Sequence, residues 1–232
     1  MTAAEARKKQ WESLKDQPLR AKLKYIFTYY WAAILLGVGV IIFVATWIPG
    51  FFQPDLALGG YMFDASVIES YGGNIPNDFL SVQQLNPKDY EFRLSLISST
   101  DSDAQTDFAI KNGAGHADFV VAEQKTYANK AGCIQDLRQV LTPEQLEKWK
   151  SRIVYIEKND WDAMQEGIEK IVPELFMSTE RMTNPVPFAI RLPKECKLLQ
   201  AYKFPEGEIL FGISQNSRNI TNAVAFLEYI LN

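Results

Sequence analysis

The chain has 232 residues, 47% hydrophobic and 22% charged, with 24 Lys and Arg against 28 Asp and Glu and a single His. Seven of the basic and three of the acidic residues precede residue 25, leaving 17 basic and 25 acidic beyond it, a net charge of about −8 with His neutral. So acidic a body argues against nucleic acid as a partner and against docking on an anionic membrane face.

Residues 1–24 form a short basic segment in which Trp11, Leu14, Leu19 and Leu23 could face lipid. It is too short for a catalytic domain. From Tyr25 to Ile48 the chain carries no charge for 24 residues, about 36 Å as a helix and enough to cross a hydrocarbon core with some tilt. Basic residues crowd its N-terminal side (Arg7, Lys8, Lys9, Lys15, Arg20, Lys22, Lys24), and none follows until Lys88. That asymmetry predicts a transmembrane helix with a cytoplasmic N-terminus and everything after residue 50 outside the cell membrane. Tyr25, Tyr29, Tyr30 and Trp31 at one end, and Trp47, Phe51 and Phe52 at the other, suit the two headgroup layers. A cleaved signal peptide fits less well, because the run is long and no A-x-A-like site follows it before Pro49. The small pair Ala33 and Gly37 leaves helix association in the bilayer open.

Pro49, Gly50 and Pro54 are expected to end the helix and make a linker over 49–55, so that 56–232 forms the external domain. Leu56–Phe63 reads as an apolar strand interrupted by Gly59 and Gly60, and Phe79–Gln84 as a short helix. Phe92–Ser98 alternates like a strand. Asp101–Asn112 offers Asp caps to a helix that Gly113 should close. Ala117–Ala122 is an apolar run of the buried-strand type, followed by a helix from Gln124 to Lys130 with a stop at Gly132. Thr142-Pro143-Glu144-Gln145 is a helix start with a capping Thr, Pro at the first position and Gln three residues on. Arg152–Glu157, Pro187–Leu192 and Glu208–Ser214 read as strands; Trp161–Leu175 and Thr221–Leu231 have helical spacing. Strand–helix alternation of this kind predicts an α/β domain built on a parallel sheet.

Chemistry has few residues to start from. One histidine, His116, removes multi-His metal sites, and its Gly-rich surroundings suggest a turn. Asn112-Gly113-Ala114-Gly115 precedes a strand and lacks the third Gly of a dinucleotide loop, and Asp101, Asp103 and Asp107 lack the spacing of a calcium loop. No nucleophile elbow, phosphate loop or zinc signature is present, so no cofactor and no metal is expected. Trp149 and Trp161 could stack on a sugar, but both sit on helical stripes where packing in the core is the default. Cys133 and Cys196 permit one disulfide outside the cell but fit two small buried apolar residues better.

Two stretches resemble the extracellular solute-binding proteins of bacterial ABC importers. Thr106–Leu137, TDFAIKNGAGHADFVVAEQKTYANKAGCIQDL, is similar to that family's helix, Gly-rich turn, "aDvvv" strand, short helix and "dL" turn. Ile209–Leu231, ILFGISQNSRNITNAVAFLEYIL, is similar to its late strand, "S.n" turn and final helix. The resemblance covers about a quarter of the chain and implies a lobe of a periplasmic-binding-protein-like fold. It departs from the family in length: only 157–184 is available where a second lobe would be inserted, so the implied protein is a reduced, membrane-tethered relative. A site in an open α/β sheet lies beyond the carboxyl ends of strands. Those ends nominate Ser98, Ser99, Thr100 and Asp101 after the second strand, and Glu123 and Gln124 after the third, as ligand-binding residues; helix capping and loop solvation compete for the same side chains.

Three functions follow as expectations. The first is a non-enzymatic binding or interaction module for a small molecule or a membrane-protein partner, anchored in the lipid bilayer through 25–48. The second is a structural or accessory subunit of a membrane assembly. The third is a membrane-tethered enzyme that relies on carboxylates.

Overall fold

The computed structural model describes residues 18–51, 54–167 and 179–232. Expectations for most of the basic segment 1–24, and for the latter parts of the 157–184 insertion and of the helix at Trp161–Leu175, lie outside the described residues. The chain divides into two units, 1–53 and 54–232.

The first unit contains helix α1, Leu19–Phe51, which is 33 residues long and runs through Pro49 and Gly50. The expected break at that pair is therefore absent; a proline within the last turn removes only its own bond to the preceding turn. Phe27, Trp31, Leu35, Leu36, Ile41 and Ile42 are all exposed. Val40, Phe43 and Val44 are exposed on the remaining side, and at 100° per residue these positions together leave no polar face. Thr28 and Thr46 turn their hydroxyls back onto the carbonyls of Lys24 and Ile42, each at 2.8 Å, which satisfies both groups inside the helix. Among the described residues no helix is long and apolar enough to cross a membrane. The uncharged run Tyr25–Ile48 lies partly outside the described side chains.

The second unit runs β1 (Asp55–Phe63), β2 (Ser66–Val67), α2 (Ile75–Val82), β3 (Tyr90–Ile97), α3 (Ser102–Gly113), β4 (Phe119–Glu123), α4 (Gln124–Ala128), α5 (Pro143–Lys148), β5 (Ile153–Glu157), α6 (Lys158–Gln165), β6 (Pro185–Arg191), α7 (Lys197–Ala201), β7 (Tyr202–Lys203), β8 (Ile209–Ile213) and α8 (Ile220–Leu231). Six strands form one sheet in the order β3-β1-β4-β8-β6-β5, and β2 pairs with β7 in a separate ribbon. The α/β expectation holds, but the sheet is mixed. β1 is parallel to β3 and β4, whereas β8 runs antiparallel to both β4 and β6, and β5 antiparallel to β6. Apolar runs buried on both faces look alike in either direction, so the reversal was invisible in the sequence.

Residues alternate between two cores. Leu58, Met62, Phe92, Phe119, Val121 and Phe211 face α2 and α8, while Tyr61, Phe63, Val120 and Leu210 face the side of α3, α4 and α6. Gly59 and Gly60 do not interrupt β1. A Cβ at Gly60 would stand 2.1 Å from the Phe119 ring, and one at Gly59 2.1 Å from the His116 carbonyl, so the pair lets β1 approach its neighbours. Helix α3 ends at Gly113 as expected, with Ala114 as its C-cap, and Gly115 then takes the left-handed conformation at φ 73. Helix α4 stops at Ala128, and Gly132 instead admits the Met164 carbonyl, which would be 2.3 Å from its Cβ. Helix α5 carries the complete capping box of Thr142 and Gln145. Trp149 and Trp161 are buried in opposite cores. Cys133 and Cys196 are free thiols, also divided between the two cores.

Candidate functional site

The order β3-β1-β4 means that the chain leaves β1 to one side and then returns to the other. At such a switch point the carboxyl ends of adjacent parallel strands diverge, and loops open a crevice. Here the ends of β1 and β3 are joined through Asp64. Its N–H donates to the Ile97 carbonyl (2.8 Å), its Oδ1 accepts from the Ser99 N–H (2.7 Å), and its Oδ2 accepts from the Thr126 hydroxyl (3.3 Å). Asp64 holds φ 55, a conformation that Asp tolerates better than most residues and that swings the chain out of β1. Beside it Lys130 donates to Gln105 Oε1 (2.9 Å) and stands 4.9 Å from the Phe63 ring centre. Burial pulls the Lys130 ammonium below its ordinary pKa.

The residues nominated from the sequence lie on this rim, yet most are occupied. Ser99 contributes its backbone: its N–H reaches Asp64 and its carbonyl accepts from Gln105 Nε2 (2.5 Å). Thr100 shares a hydroxyl contact of 2.9 Å with Ser98. Asp101 caps α3, accepting from the N–H groups of Asp103 (3.0 Å) and Ala104 (3.1 Å). Glu123 caps α4 through the Lys125 N–H (3.0 Å), and its Oε1 stands 2.7 Å from where a Cβ of Gly207 would lie. Gln124 uses its backbone N–H on the Glu208 carbonyl (2.9 Å). Asp64, which ties the rim together, was not among the nominated residues; an acid closing a buried strand was its signal.

A buried carboxylate sits at the opposite, amino end of β4. Asp118, fully buried, accepts from the N–H of Gly59 (2.7 Å), the Ser217 hydroxyl (2.7 Å), the Asn219 N–H (3.1 Å) and the Asn219 side-chain amide (3.2 Å). These four donors join β1, β4 and the start of α8. A carboxylate so fully engaged holds structure and has no lone pair left over for substrate.

Two cavities open elsewhere. One of about 490 Å³ lies beside β3 and is lined by Glu91, Phe92, Arg93 and Leu94 on one side and by Val67, Tyr71 and Tyr202 on the other. The second, about 420 Å³, includes Arg152, Glu195, Cys196, Lys197 and the C-terminal Asn232. Neither includes Ser99, Thr100, Asp101, Glu123 or Gln124. Burial raises the pKa of both thiols, Cys133 and Cys196, which lowers their reactivity. Among the described residues, no three or more His, Cys, Asp or Glu side chains gather as a metal ion would require.

No family model matches the chain, and no curated protein matches it. A solved structure titled "Structure of the periplasmic binding protein P5PA" superposes with a TM-score of 0.36 at 12% identity, covering 77% of this chain and 80% of that one.

Proposed function

We propose that this chain is a single-pass membrane-anchored protein with a cytoplasmic N-terminus, whose α/β unit outside the membrane is a non-enzymatic binding or interaction module. The uncharged run Tyr25–Ile48 supports the anchor: 24 residues, about 36 Å as a helix, within the longer α1, on which the described large apolar side chains are exposed. A helix apolar all round is stable only in a core or in lipid. The basic residues before Tyr25 supply the orientation. For the binding role, support comes from the switch point between β1 and β4, from the cavity beside β3, and from the engagement of Asp101, Glu123 and Asp118 as caps and ties. The family resemblance in the sequence points the same way.

Alkaline carbonate washing of membranes from cells that express the full chain tests the anchor. An integral helix keeps the chain in the pellet; release into the supernatant overturns the anchor. For the binding role, the melting temperature of the full chain in detergent is followed against sugars, amino acids, metal salts and peptides. A concentration-dependent rise with one class supports a binding module, since a ligand held only by the folded state stabilises it.

A further inference from the structure

We infer that the cavity beside α7 and the last turn of α8 holds a small zwitterion, an α-amino acid, whose carboxylate meets Arg152 and whose ammonium meets Glu195. Arg152 directly precedes β5, Glu195 and Cys196 lead into α7, and Ile230 and Leu231 end α8; all five line one space of about 420 Å³. That volume lies in the lower part of the range of small-molecule sites. Arg152 is the only half-buried arginine among the described residues, the others being exposed. An arginine withdrawn from water is expected to have an acid beside it. Here the order is reversed. The exposed Arg93, Arg138 and Arg191 hold Glu91, Asp136 and Glu208 at 2.5, 2.6 and 2.9 Å, whereas the Arg152 guanidinium has no ion-pair or hydrogen-bond partner among the described residues.

Glu195 lines the same cavity and forms an ion pair with neither Arg152 nor Lys197. Lys197 is engaged on α8: its ammonium donates to the Tyr229 carbonyl (3.0 Å) and stands 4.3 Å from the Tyr229 ring centre. The charges of Arg152 and Glu195 both reach the Cys196 thiol. Burial raises its pKa, the N–H groups of Leu199 and Leu198 and then Arg152 pull it down, and Glu195 raises it. Two opposite charges thus share one cavity and one neighbouring thiol without pairing with each other. A simple anion would meet Arg152 but face Glu195, and a simple amine would meet the reverse. Charge therefore selects the class. A molecule that carries carboxylate and ammonium together satisfies both walls, its carboxylate in the two-pronged bond that a guanidinium offers. Ile230 and Leu231 give an aliphatic side chain apolar surface to cover. The inference rests on the reading of the unit as a binding module and not on the membrane anchor.

The test is titration calorimetry on the full chain in detergent micelles. The probes are glycine, L-alanine, L-valine and L-leucine, and acetate, propionate, isovalerate and isocaproate, which are the same molecules without the ammonium. At least one amino acid should bind saturably with Kd below about 1 mM. Arg152→Gln and Glu195→Gln, each shown folded by its thermal transition, should each weaken that binding about tenfold or more. Loss of the ammonium should cost less affinity in Glu195→Gln than in the native chain, a coupling that a structural role for Glu195 would not produce. No saturable heat from any of the four amino acids up to about 10 mM overturns the proposal. So does unchanged affinity in either variant, and so does a carboxylate that binds as tightly as its amino acid, which would make the site one for simple anions. If the amino acids fail while another class of compound raises the melting temperature of the native chain and of Arg152→Gln alike, this assignment falls and the binding module stands.

Discussion

Asp118 shows how a single side chain can decide whether one helix and two strands meet. Its two oxygens take four donors from Gly59, Ser217 and Asn219 in a fully buried site. Asp118→Asn replaces one acceptor by a donor facing donors, and should lower unfolding free energy by about 3 kcal/mol in urea titration. A loss below about 1 kcal/mol would mean that the site readily rearranges. Tyr127 is the other buried polar residue with a measurable signature. Its hydroxyl donates to the Phe188 carbonyl (3.2 Å), and burial raises its pKa well above the ordinary value. Below about pH 10 the phenol is neutral in both folded and unfolded chains; above it only the unfolded phenol ionises, so stability falls as pH rises. Tyr127→Phe should flatten that fall while costing about 1 kcal/mol at neutral pH. Gly212 exists to admit this hydroxyl, which would stand 1.8 Å from an added Cβ. Gly212→Ala should therefore destabilise the wild-type background more than the Tyr127→Phe background, a coupling that a double-mutant cycle reads directly.

At the scale of elements, the most economical contact is Phe226 of α8, with ring centres 4.9 Å from both Phe92 and Phe119 and 5.3 Å from Phe79. Phe226→Ala should cost about 3–5 kcal/mol, measured by denaturant unfolding, because the cavity opens where four rings meet. Asp101→Ala should cost only about 1 kcal/mol in the same measurement, the value of a lost helix cap. Most elements of the α/β unit were legible in the sequence because their signals are local. The capping box at Thr142, the apolar run of β4 and the stripe of α8 each needed no partner to be read. The two-residue strands β2 and β7 and the five-residue α7 had no such pattern; β2 and β7 form by pairing with each other across distant parts of the chain. One of the two glycine stops misled for the same reason. Gly113 does end α3, but Gly132, also read as a helix stop, answers to the Met164 carbonyl from a distant helix. Asp101 and Glu123 were placed correctly at strand ends, whereas whether a carboxylate there caps a helix or meets a ligand depends on loop geometry that only the fold supplies.

For the molecule as a whole, two physically different units share one chain. One is a long helix whose apolar surface faces outward, and the other is an acidic α/β unit that buries its own aromatic residues in two cores. The uncharged run and the basic residues before it were legible without any structure, since hydropathy and charge asymmetry are properties of sequence alone. The direction of β5 and β8 and the cavity beside β3 were not, because long-range pairing sets both. The tethered reading places the unit from residue 54 onward outside and the basic end inside. The decisive measurement is protease digestion of spheroplasts carrying the full chain with an epitope at each end. The account predicts that external protease removes the C-terminal epitope while the N-terminal one survives on a membrane-bound fragment until the cells are lysed. Protection of the C-terminal epitope in intact spheroplasts, with digestion only after lysis, would contradict it.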